Sequence, residues 1–145
     1  MYAVDLNFVK GISGVLINAK AQYNYSHISN ENYVSPVDSS SYTFTNQTSS
    51  FFGQLSLRAL KAPGILKNFE LAGRYVNYIT PALSTWGAVT NEYDAAIDYW
   101  ITWRSVVKVV YETQDIKGTT PVNLGGYREN NGKVNRVIIQ YSVQF

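Results

Sequence analysis

Apolar and polar side chains alternate with a period of two through segment after segment of this chain, and that pattern restricts it to extended strands with one apolar and one polar face. Seven segments show it. Tyr2, Val4, Leu6 and Phe8 alternate with Ala3, Asp5 and Asn7. Val15, Ile17, Ala19, Ala21, Tyr23 and Tyr25 alternate with Leu16, Asn18, Lys20, Gln22, Asn24 and Ser26. Phe51, Leu55, Leu57 and Ala59 stand against Phe52, Gln54, Ser56 and Arg58, and Phe69, Leu71, Gly73 and Tyr75 against Glu70, Ala72 and Arg74. The fifth segment sets Tyr93, Ala95, Ile97, Tyr99 and Ile101 against Asp94, Ala96, Asp98 and Trp100. In the sixth, Val107, Val109 and Tyr111 oppose Val106, Lys108, Val110 and Glu112, and in the seventh Val137, Ile139, Tyr141, Val143 and Phe145 oppose Ile138, Gln140, Ser142 and Gln144.

The connections alternate in length as regularly as the side chains alternate in polarity. Lys10-Gly-Ile-Ser-Gly14, Lys61-Ala-Pro-Gly64 and Trp103-Arg104-Ser105 are short, whereas Ser29–Ser50 and Asp115–Asn135 read as long polar loops and Thr80–Gly87 is intermediate. A meander of hairpins follows, with tight turns at one end and large loops at the other. Each strand comes to roughly 9 to 11 residues, the length with which a tilted strand crosses a hydrocarbon core. Short turns on one side, long loops on the other, an apolar outer face and a polar lumen are the features of transmembrane barrels. Tyr2, Phe51, Phe69, Tyr93, Tyr111 and Phe145 edge the apolar face, where rings fit the membrane interfaces.

Composition agrees with a surface that meets something besides water. Hydrophobic residues make up 46% of the 145 and charged residues 15%, against about 25% charged in ordinary soluble domains. Twelve Tyr, six Phe and three Trp outnumber the ten acidic residues, a bias that suits strands. The absence of Cys removes disulfide, thiolate and Cys-metal chemistry. A net charge of +2 does not point to nucleic acid. Tyr-Ala-Val-Asp after Met1 has neither the basic nor the apolar region of a signal peptide, so a removed signal or a larger gene product is expected.

The pattern resembles the C-terminal part of bacterial outer-membrane porins, especially the phosphate-selective porin O and P type. The resemblance is carried by FFGQLSLRALKAPGILKNFELAGRYVNY (Phe51 to Tyr78), YDAAIDYWITWRSVVKVVYE (Tyr93 to Glu112) and RVIIQYSVQF (Arg136 to Phe145), and covers roughly residues 50 to 145. It implies an all-β, antiparallel up-and-down transmembrane β-barrel over residues 1–145, about seven strands here and part of a larger barrel, in the bacterial outer membrane. It also implies passive diffusion of small hydrophilic, phosphate-like anionic solutes among them, and no enzyme activity. The terminus Val137, Ile139, Tyr141, Val143 and Phe145 is similar to the signal read by the barrel assembly machinery. Outer-membrane lipid, that machinery, further strands or another chain at the two edges, and other copies in a homo-oligomer are the expected partners; no cofactor, metal or nucleic acid is expected.

The lumen face is expected to carry Lys20, Arg58, Arg74, Lys108 and Arg136 against Asp5, Glu70, Asp94, Asp98 and Glu112. Five against five is no anion filter, and opposite charges on neighbouring strands ordinarily pair and stabilise the sheet. His27-Ile28-Ser29-Asn30 is similar to the His/Ser nucleophile pair of outer-membrane phospholipases, but Glu31 follows where that family has Gly, so a polar rim histidine is expected. Two other architectures compete: a lipocalin-like soluble barrel with its apolar face turned inward, and a porin-like scaffold that conducts nothing. Parity places Phe145 and the short turns in the periplasm and the start of the first strand outside. The first and last strands are therefore expected to pair with strands other than each other.

Overall fold

The computed structural model describes residues 1–34, 39–82, 84, 86–119 and 131–143. They form one antiparallel sheet in simple chain order, β1 (Tyr2–Ile12), β2 (Val15–Val34), β3 (Ser41–Ala59), β4 (Phe69–Ile79), β5 (Ala88–Thr102), β6 (Ser105–Gly118) and β7 (Gly132–Val143). A single 3₁₀ turn, Gly64–Asn68, leads into β4. β1 and β7 are the two edges of the sheet, which is not closed into a barrel.

Register turns the alternation of each strand into continuous bands. Ile17, Leu57, Leu71, Ile97, Val109 and Ile139 are successive cross-strand neighbours from β2 to β7. These side chains lie outward: Leu71 is 57% exposed, Ile97 52% and Ile139 75%. On the opposite face Ser56, Asp98 and Glu112 are buried. No second layer of structure covers that face among the described residues, so its burial comes from the sheet curling toward its polar side. Burial is thus inverted relative to a soluble domain, where apolar side chains fill the interior. Among the described residues Phe44 is the one buried large hydrophobic side chain.

The tight turns follow from local chemistry. Ser13 and Gly14 both have positive φ, 51° and 90°, which matches the two-residue hairpin turn whose twist suits neighbouring strands. A Cβ on Gly14 would also lie 2.6 Å from the Lys61 side chain, so this position requires glycine on two counts. Leu60 donates its N–H to the Gly14 carbonyl at 2.8 Å, tying the first short connection to the second. At the third, the Arg104 N–H donates to Thr102 Oγ1 at 3.2 Å, and the Thr102 and Ser105 hydroxyls lie 2.9 Å apart.

One expected loop is largely strand, and another is strand at both of its ends. The 29–50 stretch continues β2 to Val34 and starts β3 at Ser41, giving strands of 20 and 19 residues instead of 9 to 11. The 115–135 stretch lengthens β6 to Gly118 and starts β7 at Gly132, with residues 120–130 outside the described ones. The β2–β3 arm is held by rings. Tyr33 stacks on Phe44 at 4.4 Å, and Trp86 meets both edge-on, at 5.8 and 5.3 Å. A β-bulge between Ile28 and Glu31 makes this possible. One extra residue on β2 reverses the face on which later side chains emerge, so Tyr33 opposes Tyr42 beside Phe44.

The Thr80–Gly87 connection is tied down too. Thr80 Oγ1 accepts the Ala88 N–H at 2.7 Å, Ser84 donates to the Pro81 carbonyl at 2.7 Å, and the Thr119 N–H reaches the Gly87 carbonyl at 2.9 Å.

Candidate functional site on the concave polar face

Adjacent strands place the polar residues in rows along the hydrogen-bonding direction. Asn7, Lys20, Gln54, Arg74, Asp94, Glu112 and Arg136 are successive register partners across all seven strands. A second charged row runs Arg58, Glu70, Asp98, Lys108 and Gln140. Between them lies a row of smaller or apolar residues: Ser56, Ala72, Ala96, Val110 and Ile138. Long charged side chains from both rows can lie over this low strip, and a shallow hollow there is lined by Ala72, Arg74, Asp94, Ala96 and Lys108.

The charges pair across strands, as opposite charges on neighbouring strands do. Arg74 bridges two carboxylates of β5, with Nε 2.6 Å from Asp94 Oδ2 and Nη2 3.0 Å from Glu92 Oε1. Lys108 reaches Asp98 Oδ2 at 3.3 Å, and Arg136 pairs with Glu112. Glu92, Asp94 and Glu112 present oxygens within 4.8 Å of one another, but Arg74 and Arg136 already supply the positive charge this cluster needs. Arg58 is different: its guanidinium stands 5.2 Å from the Trp100 ring centre and its Nε donates to the Lys67 carbonyl at 3.1 Å. Its register partner Glu70 instead accepts the Trp100 indole N–H at 3.0 Å.

Lys20, Arg58, Arg74, Lys108, Arg136, Asp94, Asp98 and Glu70 therefore share one face, with Asp5 on its β1 margin. The sequence reading missed Glu92, which alternates in phase with Asp94 and brings the carboxylates on this face, among the described side chains, to six against five cations. It also missed the roles of Trp100 and of the Tyr33–Phe44–Trp86 group. Asp94 Oδ1 and Asp98 Oδ1 are buried without a hydrogen-bond partner in the chain, as is Asn18 Oδ1. An unpartnered buried oxygen costs about 1–3 kcal/mol, which the second oxygen of Asp94 and of Asp98 offsets in part through its ion pair.

The terminal side chains of the expected assembly signal fall on the other face. Val137, Ile139, Tyr141 and Val143 point outward from β7 and are exposed, and Phe145 lies outside the described residues. His27 pairs in register with Gln47 on the exposed outer part of β2, and Ser29 lies in the bulge. A third aromatic feature belongs to the outward face: Phe51, Tyr75 and Tyr93 follow one another at 6.2 and 5.1 Å, while Phe69 and Tyr99 pair at 5.0 Å nearer the short turns. Comparison with known protein families, curated proteins and solved structures gives no match.

Proposed function

We propose that this chain forms part of the wall of a bacterial outer-membrane porin, through which small hydrophilic solutes diffuse passively. The observation that carries the reading is the inverted sheet: apolar side chains cover the convex face, and two charged rows line the concave one. Lipid suits the first, and water suits the second, where Lys20 is exposed and Arg74 and Arg136 reach the surface beside their carboxylate partners. On β5 the outward residues Tyr93, Ala95, Ile97 and Tyr99 run up to a bulge at Ile101. Six steps of about 3.3 Å make roughly 20 Å of strand, and a tilt of about 40° leaves roughly 15 Å of height, which fits within the apolar band of about 25 Å in such barrels. A lipocalin-like barrel needs the opposite curl, with the apolar face inside.

Paired charges in near balance give this part of the wall little preference between anions and cations. Phosphate selectivity would have to come from residues elsewhere in the complete barrel. The exposed alternation Val137, Ile139, Tyr141 and Val143 on an edge strand is what the assembly machinery would read. The purified complete assembly is expected to give stepwise, ohmic conductance in planar bilayers. Insertion without conductance would overturn the porin reading and leave a scaffold.

A further inference from the structure

The two ends of the sheet differ in charge. The short-connection end carries Lys10, Lys61, Lys67 and Arg104, all exposed, and its connecting segments hold no acidic residue. The opposite end is mixed, with Asp115 close to Lys117 and Lys133. The four cations stand among exposed apolar groups: Trp103 is 73% exposed, and Leu60, Ile65 and Leu66 are exposed as well. Two of them rest against neighbouring groups. Lys61 lies along the Gly14 turn, and the Arg104 guanidinium sits 4.0 Å from the Trp103 ring centre. The Lys67 carbonyl accepts from Arg58 Nε, and the residue is exposed.

We propose that this end of the sheet is a docking surface for anionic glycerophospholipid headgroups of the adjoining leaflet. The inference rests on the membrane reading given above. Lys10, Lys61, Lys67 and Arg104 meet the phosphates, while Ile65 and Leu66 reach the boundary between headgroup and acyl chains. Continuity supports this occupant over a protein. The outward aromatic pair Phe69–Tyr99 begins one residue beyond the 3₁₀ turn that holds Ile65, Leu66 and Lys67, so the basic ledge lies just past the apolar band. Amphipathic rings and basic side chains with apolar stems settle at that level of a bilayer. Each basic residue near an anionic surface strengthens binding by about fivefold.

The test is native mass spectrometry of the complete detergent-solubilised assembly, titrated with phosphatidylglycerol or phosphatidylcholine of identical acyl chains. A preference of at least about tenfold for phosphatidylglycerol is expected. It should be lost in a Lys61→Gln, Lys67→Gln, Arg104→Gln variant and kept in Lys20→Gln, on the concave face. Raising salt tenfold should weaken the preference of the unmodified protein, a check independent of any variant's folding. Equal binding of the two lipids, an unchanged triple variant, displacement by millimolar inorganic phosphate, or tighter binding of lipid A through the same residues would each overturn the proposal. A protein that needs no detergent and binds neither lipid would overturn the membrane reading itself; one that needs detergent but does not discriminate would overturn only the docking surface.

Discussion

Arginine in place of Ile139 is expected to destabilise the inserted protein by about 2–4 kcal/mol, the cost of a cation on the lipid face near the midplane. Glutamate in place of the adjacent Gln140 should change stability by less than about 1 kcal/mol. The contrast comes from one step along β7. Ile139 is 75% exposed and ends the apolar band through Leu71, Ile97 and Val109. Gln140 emerges on the other face, opposite Lys108, where a carboxylate finds both a cation and water. Urea unfolding of both variants in lipid vesicles measures the difference. Equal losses would contradict the two-faced wall, and a larger loss at 140 would mean that the faces are exchanged.

A second large effect is expected at the sheet edges. β1 and β7, with 11 and 12 residues, each present one unpaired side. About half of the backbone groups of an edge strand point outward, and in hydrocarbon each costs several kcal/mol, so the open sheet is unstable in a bilayer by tens of kcal/mol. Seven alternating strands also make β1 and β7 run in the same direction. An antiparallel complement must then contain an odd number of strands, whose outer two both run the other way. A second copy in the same membrane orientation offers only parallel pairing at these edges. Residues 1–145 refolded alone into vesicles are therefore expected to leave no monomeric, protease-resistant inserted sheet. A stable inserted monomer with β1 paired to β7 would contradict this.

The strands and the faces of the sheet were legible because a period of two survives any reasonable choice of boundary. Register was implicit in the Ser13-Gly14 turn, which pairs Ile12 with Val15 and carries through to Tyr2 and Tyr25, but not in the Trp103-Arg104 turn: it pairs Thr102 with Ser105, and a bulge at Ile101 then shifts the ladder by one residue, so that Asp94 falls opposite Glu112 and Asp98 opposite Lys108. The β2–β3 arm was less visible. Its Ser, Thr and Asn content reads as loop, although Tyr42 and Phe44 alternate with Thr43 and Thr45 as strand residues do. The bulge after Ile28 then shifts the phase of β2, so no single alternation runs through to Tyr33. Glu92 was missed for a simpler reason: the fifth segment was started at Tyr93, one residue too late. That Glu70 turns to Trp100 while Arg58 lies over the same ring depends on side-chain geometry that strand alternation does not encode.

The central claim is that one face of this sheet meets lipid and the other water, and the chain's lack of cysteine makes it directly measurable. Single cysteines at positions 107 to 111 of β6, in the membrane-inserted assembly, would be exposed to a membrane-impermeant thiol reagent. Cysteines replacing Lys108 and Val110 are expected to react, and those replacing Val107, Val109 and Tyr111 to be protected. Uniform reaction along the strand, or reaction at 107, 109 and 111 alone, would contradict the account.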